Sequence, residues 1–226
     1  MNPPRLYRKG DSFKSVAGDF SVESVVGRVG ALRGALPTLS LAPLMTAILE
    51  RAFADLDVAP ADREVWTFFL RPHVIEEIAR LSDEDLPRYL FHRYRYDVFP
   101  TTKELDAYPP CVQIEPTSIC NFRCIFCFQT DPLLTLGKNS HASQMSVDRF
   151  KRIVDQIEGH VEFVTVASRG EPLMTKGIEE VLACAPNKFV GLKMKTNVTL
   201  INEKKAHVIL QAEPNTLVFS VEAADA

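Results

Sequence analysis

Val112-Gln113-Ile114-Glu115-Pro116-Thr117-Ser118-Ile119-Cys120-Asn121-Phe122-Arg123-Cys124-Ile125-Phe126-Cys127 joins an apolar alternating run to three cysteines spaced C-x3-C-x2-C. The alternation over Val112 to Thr117 predicts a strand, and the Pro, Gly, Asn and Ser that follow predict a long connection. Thiolates this close on one loop can converge on a metal centre. Three of them are one ligand short of a closed tetrahedral zinc or iron–sulfur site. The fourth position is either completed by a remote residue or kept open for a substrate or cofactor.

Downstream, the pattern repeats strand and helix with short turns. A helix is predicted over Met145 to Ile157, with Ser146 or Ser143 as cap, and a strand over Val161 to Ala167. A helix over Thr175 to Cys184, a strand over Val190 to Thr196, a helix over Asn202 to Leu210 and a strand over Thr216 to Val221 complete it. Such alternation argues for an α/β fold built of βαβ units, with a parallel sheet or barrel. Upstream the pattern differs. Residues 1–38, rich in Gly, Ser and Arg, are expected to be poorly structured, with Val25, Val26, Val29 and Leu32 supplying only a short amphipathic turn or two. Residues 39–110 read as a helical domain and linker, with helices from Ser40 to about Asp57, Ala61 to Leu70 and Pro72 to Leu81, and a helix start at Ser82. Residues 100–110 look linker-like, and 111–226 form the α/β domain.

The 226 residues carry a net charge of -3 from mixed signs, with no basic block to suggest nucleic acid. Arginines and aromatics do interleave over Leu86 to Tyr96, which base stacking could use. An amphipathic helix that packs Tyr89, Leu90 and Tyr94 while arginine faces water is the plainer expectation. Five cysteines, an odd number, with no signal-peptide pattern fit a reducing cytoplasm. The apolar stretch Leu39 to Leu49 is shorter than the ~20 residues a span needs, so no membrane partner is expected.

Ligands of parallel α/β folds bind where the strands' carboxyl ends meet the βα loops. There the sequence places the cysteine loop, then Ser168-Arg169-Gly170-Glu171-Pro172, Lys195-Thr196-Asn197 and Ser220-Val221-Glu222. With these residues the chain resembles the radical S-adenosylmethionine (radical SAM) superfamily. Cys120, Cys124, Phe126 and Cys127 match that family's C-x3-C-x2-C signature, which has an aromatic before the last cysteine. Its Gly-Gly-Glu-Pro motif reads Arg169-Gly170-Glu171-Pro172, with arginine for the first glycine. Thr-Asn-Gly reads Thr196-Asn197-Val198, and Ser-x-Asp reads Ser220-Val221-Glu222.

The resemblance implies a [4Fe-4S] cluster held by Cys120, Cys124 and Cys127, with the fourth iron open to the amino and carboxylate groups of S-adenosylmethionine (SAM). It implies an external electron donor such as flavodoxin or ferredoxin, and a 5'-deoxyadenosyl radical that abstracts hydrogen from a substrate not identified by the sequence. Phe126, Gly170, Glu171, Pro172, Thr196, Asn197, Ser220 and Glu222 become the expected SAM contacts, Glu171 for the amino group. No further catalytic residue is assigned. The motif wording is most similar to the branch with a C-terminal cysteine-rich (SPASM-type) extension. The family's barrel has six βα units, whereas this sequence supplies about three and a fourth strand, so the chain is expected to be the front of a longer protein.

Other readings stay open at this level. A structural zinc site could recruit His141 or His160, and Glu171 could simply cap a helix. Thr196, Asn197, Ser220 and Glu222 could serve turns, and a degenerate barrel could act as a binding scaffold. Cys111 and Cys184 read as buried small side chains. Lys193 and Lys195 alternate with Leu192 and Met194, and a solvated strand-end position is expected for them.

Overall fold

The computed structural model describes residues 21–132, 142–167 and 169–221, and the chain divides into two compact units, Met1–Asp106 and Ala107–Ala226. The first unit is helical. Helix α1 (Val22–Ala35) starts at Ser21, whose hydroxyl accepts from the Ser24 amide at 3.0 Å, and buries Val25, Val29 and Leu32 at i, i+4 and i+7. Of the segment expected to be poorly structured, the described part is therefore helical over Val22–Ala35, and residues 1–20 lie outside the described residues. Gly27, Gly30 and Gly34 depress its propensity by about 1 kcal/mol each, but all three lie in open space, and the buried apolar stripe outweighs them.

Helix α2 (Pro43–Leu56) and helix α3 (Pro72–Arg80) form where the periodicity placed them, but α2 starts after Ala42 with no side-chain cap, not at the expected Ser40. The helix expected over 61–70 does not form. A short 3-10 turn, Pro60–Asp62, is followed by a turn in which the Glu64 amide donates to Thr67 Oγ1 at 2.9 Å, and the Phe68 amide donates to Asp55 Oδ2 at 2.8 Å. Those side chains compete with a helical ladder, and buried Phe68 anchors the segment without one. Helix α4 (Leu86–Thr102) runs through Pro100 into the expected linker. Left-handed Lys103 ends it, donating to the Phe99 carbonyl, while the Thr101 and Thr102 hydroxyls bond the Val98 carbonyl.

Tyr89, Leu90 and Tyr94 of α4 are buried as expected, but not all its arginines face water. Arg95 is 1% exposed, pairs with Asp106 at 2.9 Å and lies over the Phe91 ring, and Arg93 pairs with Asp97. Their charge is spent internally, so these two offer nothing to a phosphate.

In the second unit, β1 (Cys111–Ile114), β2 (Phe163–Val166), β3 (Gly191–Thr196) and β4 (Thr216–Phe219) form one parallel sheet in that order. Helix α5 (Val147–Ile157) bridges β1 to β2, helix α6 (Ile178–Leu182) β2 to β3, and helix α7 (Glu203–Gln211) β3 to β4. Ser146 and Asn202 cap α5 and α7. The register explains the layering. Ile114, Val166, Met194 and Leu217 form one apolar row, which packs with Val164 and Leu192 against Phe150, Val154, Ile178, Val181 and Ile209 of the helices. The adjoining row, Gln113, Thr165, Lys193 and Thr216, is polar and adds nothing to that core. This α/β unit with three crossovers and a fourth strand is consistent with part of a barrel.

Candidate cluster and SAM site

All the strands run the same way, so the segments after β1, β2, β3 and β4 share one rim. Cys120, Cys124 and Cys127 line a cavity of about 240 Å³ there, together with Phe122, Phe126, Arg169, Gly170, Glu171, Lys195, Thr196, Asn197 and Ser220. The cysteine loop is folded on itself. The Cys127 amide donates to the Cys124 carbonyl at 2.8 Å, and the Arg123 guanidinium donates to the Cys120 and Phe122 carbonyls. Phe126 is 70% exposed at this rim, where its side chain meets no core.

The loop after β2 is pressed against the root of the cysteine loop. A Cβ on Gly170 would lie 2.0 Å from the Thr117 carbonyl oxygen and 2.8 Å from that of Ile119, so only glycine fits. The Glu171 amide donates to the Ile119 carbonyl at 2.9 Å. Gln129, buried, donates from Nε2 to the Ser118 and Arg169 carbonyls at 2.8 and 2.6 Å, tying the two loops together. Arg169, in place of glycine, makes a two-pronged pair with Glu115 at 2.9 and 3.0 Å, and its own amide donates to the same carboxylate. That pair holds the guanidinium charged, raising its pKa above the ordinary value.

Glu171 is 2% exposed and accepts three hydrogen bonds from the protein. Oε1 accepts from the Thr196 hydroxyl at 2.7 Å and the Leu173 amide at 3.1 Å, and Oε2 accepts from the Asn197 amide at 2.7 Å. Pro172 opens the 3-10 turn that follows and is buried. The carboxylate thus does more than cap that turn, for it locks the β2 loop to the end of β3. Thr196, also buried, accepts from the Val198 amide at 3.1 Å. Val198 stands at φ +62°, a left-handed conformation unusual for a β-branched residue, at the position where the matching motif has glycine.

Ser220 is held by its amide on the Thr196 carbonyl at 2.8 Å. Lys195, expected at a solvated strand end, is exposed but lines the cavity beside the cysteines. Glu222 and His141 lie outside the described residues. His160 cannot complete the cysteine site. It precedes β2 at the amino end of the sheet, stacked on Tyr108 at 4.1 Å between ring centroids. Cys111 is exposed at the start of β1, contrary to the buried position expected. Cys184, half-buried, donates its thiol to the Glu180 carbonyl. Gln129, Asn121, Thr199 and Glu115 have no motif of their own. Only their position beside motif residues could have pointed to them.

Among the described residues, no three His, Cys, Asp or Glu side chains are arranged to hold a single metal ion. A closed zinc site would gather its sulfurs about 2.3 Å from one atom. An iron–sulfur cluster spreads its thiolates over separate irons, so three thiols that line one cavity without converging on a single point fit a cluster.

Comparisons with known proteins agree. The family model described as the Radical SAM superfamily matches residues 114–226. Mycofactocin maturase MftC of Mycolicibacterium smegmatis is 28% identical over 122 residues, 54% of this chain and 29% of that protein. GTP 3',8-cyclase of Helicobacter pylori is 34% identical over 88 residues, 38% of this chain and 26% of that enzyme. Fe-coproporphyrin III synthase of Methanosarcina barkeri is 28% identical over 97 residues, 43% of this chain and 23% of that enzyme. The matches therefore span less than a third of each relative's length. No solved structure matches the chain significantly. Among the described residues, no helix is long and apolar enough to cross a membrane. With its signature cysteines, its parallel sheet and a family match over half its length, the chain belongs to the radical SAM superfamily of enzymes, whose members use a [4Fe-4S] cluster and SAM.

Proposed function

We propose that Cys120, Cys124 and Cys127 hold three irons of a [4Fe-4S] cluster, and that the protein of which they are part cleaves SAM reductively to abstract hydrogen from a peptide, protein or small-molecule substrate. When bound and reduced by a flavodoxin- or ferredoxin-like donor, the cluster supplies the electron that breaks the carbon–sulfur bond of SAM and leaves a 5'-deoxyadenosyl radical. The observation that carries this reading is that the three cysteines and the Glu171 loop line the same cavity.

The chain's residues then have distinct tasks. Gly170 lets the β2 loop approach close enough to form the cavity floor, and Pro172 stiffens the turn behind it. Glu171 orders that floor, with one lone-pair site left on Oε2 for the amino group of SAM. Thr196 spends its hydroxyl on Glu171, so it supports the site from within the protein. Phe126 offers its backbone and ring at the rim, and Ser220, which lines the cavity, is a partner for a ribose or methionine polar group. Glu222 is assigned the same kind of contact. Lys195 supplies a positive charge for a carboxylate. The motif wording supports the SPASM-type branch, and the cysteine usage a cytoplasmic setting.

Anaerobic reconstitution with iron and sulfide tests the reading. The expected result is a brown protein that releases 5'-deoxyadenosine from SAM on dithionite reduction, with both properties lost when the three cysteines become alanine. Stoichiometric zinc without iron, or a loaded cluster that never cleaves SAM, refutes it.

A further inference from the structure

We propose that Asn197 is a positioning residue for the cluster, holding Cys120 in place and raising the cluster's reduction potential through an N–H···S hydrogen bond; the inference rests on the cluster reading above. Cys120 Sγ accepts from the Phe122 amide at 3.4 Å and from Asn197 Nδ2 at 3.8 Å. Neither Cys124 nor Cys127 receives such a bond among the described residues. The contact with Asn197 crosses from the β1 loop to the end of β3, and it is braced on every side.

Asn197 Nδ2 places its other hydrogen on Asn121 Oδ1 at 2.9 Å, and Asn121 Nδ2 donates to Thr199 Oγ1 at 2.8 Å. Thr199 closes the ring, donating its hydroxyl to Asn197 Oδ1 at 2.7 Å, while its amide reaches the same oxygen at 3.2 Å. Both amide hydrogens and both oxygen lone pairs of Asn197 are thereby used. Its backbone amide is also taken, by Glu171 Oε2 at 2.7 Å. A side chain so engaged has no capacity left for SAM, and the turn-or-cap alternative for Asn197 becomes a more specific role. The amide orientations follow from this network, the only arrangement that pairs each donor with an acceptor.

The chemistry gives the sign. Negative charge on the thiolates and their irons increases on reduction, and a donated N–H stabilises it, so hydrogen bonds to the sulfurs raise the potential. Removing the Asn197 donor therefore lowers the midpoint. The bond falls on one sulfur of three, so the iron held by Cys120 differs electronically from the other two.

The test compares wild type with Asn197→Asp, Asn197→Ala and Thr199→Val, each reconstituted anaerobically and checked for iron content and circular dichroism. Asn197→Asp keeps the shape but replaces the donor with a charged acceptor, and Thr199→Val removes the hydroxyl linking the two amides. The expected result is a shift to more negative potential, largest for Asn197→Asp. At a fixed poise it would be read as about a tenfold lower ratio of reduced to oxidised cluster, about 59 mV for a one-electron couple. The g-values of the reduced cluster should move with it. Loss of iron loading with unchanged circular dichroism also supports the positioning role. Should the Asn197 variants unfold, Thr199→Val carries the same expectation. Unchanged loading, potential and g-values in a folded variant overturn the inference. Failure of the wild type to bind iron would instead overturn the cluster reading beneath it.

Discussion

Val198 offers a test whose sign is unusual. Its φ of +62° is imposed by its surroundings, because its amide donates to Thr196 Oγ1 at 3.1 Å and its carbonyl accepts from the Ile201 amide at 3.0 Å. A residue with a Cβ pays about 1–2 kcal/mol in this region. Glycine escapes that cost but loses about 0.4–1 kcal/mol through the greater freedom of its unfolded chain. Replacing valine by either alanine or glycine removes the same half-buried isopropyl group, so the difference between the two variants isolates the backbone. At an ordinary site alanine is the more stable. Here the order should invert, with Val198→Gly more stable than Val198→Ala by about 0.5–1 kcal/mol, roughly 1–4 °C in melting temperature. Thermal and urea unfolding of the metal-free protein by circular dichroism would measure it. An alanine variant as stable as the glycine variant, or more so, would refute the claim that the turn after β3 is strained.

The other expectations concern the same floor and the helical unit. Glu171→Ala leaves the Leu173 and Asn197 amides and the Thr196 hydroxyl without their acceptor in a buried place, and should cost about 3–4 kcal/mol in urea unfolding. Glu171→Gln, which keeps one acceptor oxygen, should cost clearly less. Gly170→Ala drives a Cβ into the Thr117 and Ile119 carbonyls, neither a flexible side-chain end, and should lose about 1–3 kcal/mol together with iron loading. In the first unit, the bidentate hydrogen bonds from Arg51 hold Glu104 down at about 2, below its ordinary 4.5. A carboxylate depressed by folding stabilises above its unfolded pKa and ceases to as pH falls through the folded one. The melting-temperature gap between wild type and Glu104→Gln should therefore be full near neutrality and close as pH falls from about 4.5 to about 2, whereas a gap independent of pH over that range would show the pair to be inert.

The α/β half was legible because two independent signals coincided there: strand alternation with a period of two, and capped helices with apolar spacing. Ser146 with Phe150, Val154 and Ile157 shows both parts of the helix signal. The helical half was less legible where local and tertiary terms disagreed. The glycines of α1 argued against a helix, and only the burial of Val25, Val29 and Leu32 decided otherwise. At 61–70 the hydrophobic residues looked sufficient for a helix, but Thr67 and Asp55 captured backbone amides that a helix would have needed. Arg93 and Arg95 misled through charge alone, since a sequence does not show that Asp97 and Asp106 will neutralise them.

In the site, residue type was readable and its partner was not. Glu171, Thr196 and Asn197 are polar residues at strand ends, and such residues suggest ligand contacts. Each has a fixed number of donors and acceptors, and the structure shows most of that capacity spent between loops: Glu171 on Thr196 and two amides, Asn197 on Asn121, Thr199 and Cys120. Among the residues lining the cavity, those with capacity not spent in this network are Ser220, Lys195, Glu171 with one acceptor site, and the three cysteines. A site of this kind divides labour by hydrogen-bond capacity, with saturated residues setting geometry and unsaturated ones left to meet a ligand. That division predicts different kinetic signatures. Lys195→Met, at an exposed position outside the network, should weaken SAM binding while leaving stability unchanged. Thr199→Val should do the reverse, shifting potential or stability with little effect on SAM affinity. If both variants changed SAM affinity equally and left the potential alone, the saturated ring around Cys120 would have no separate role.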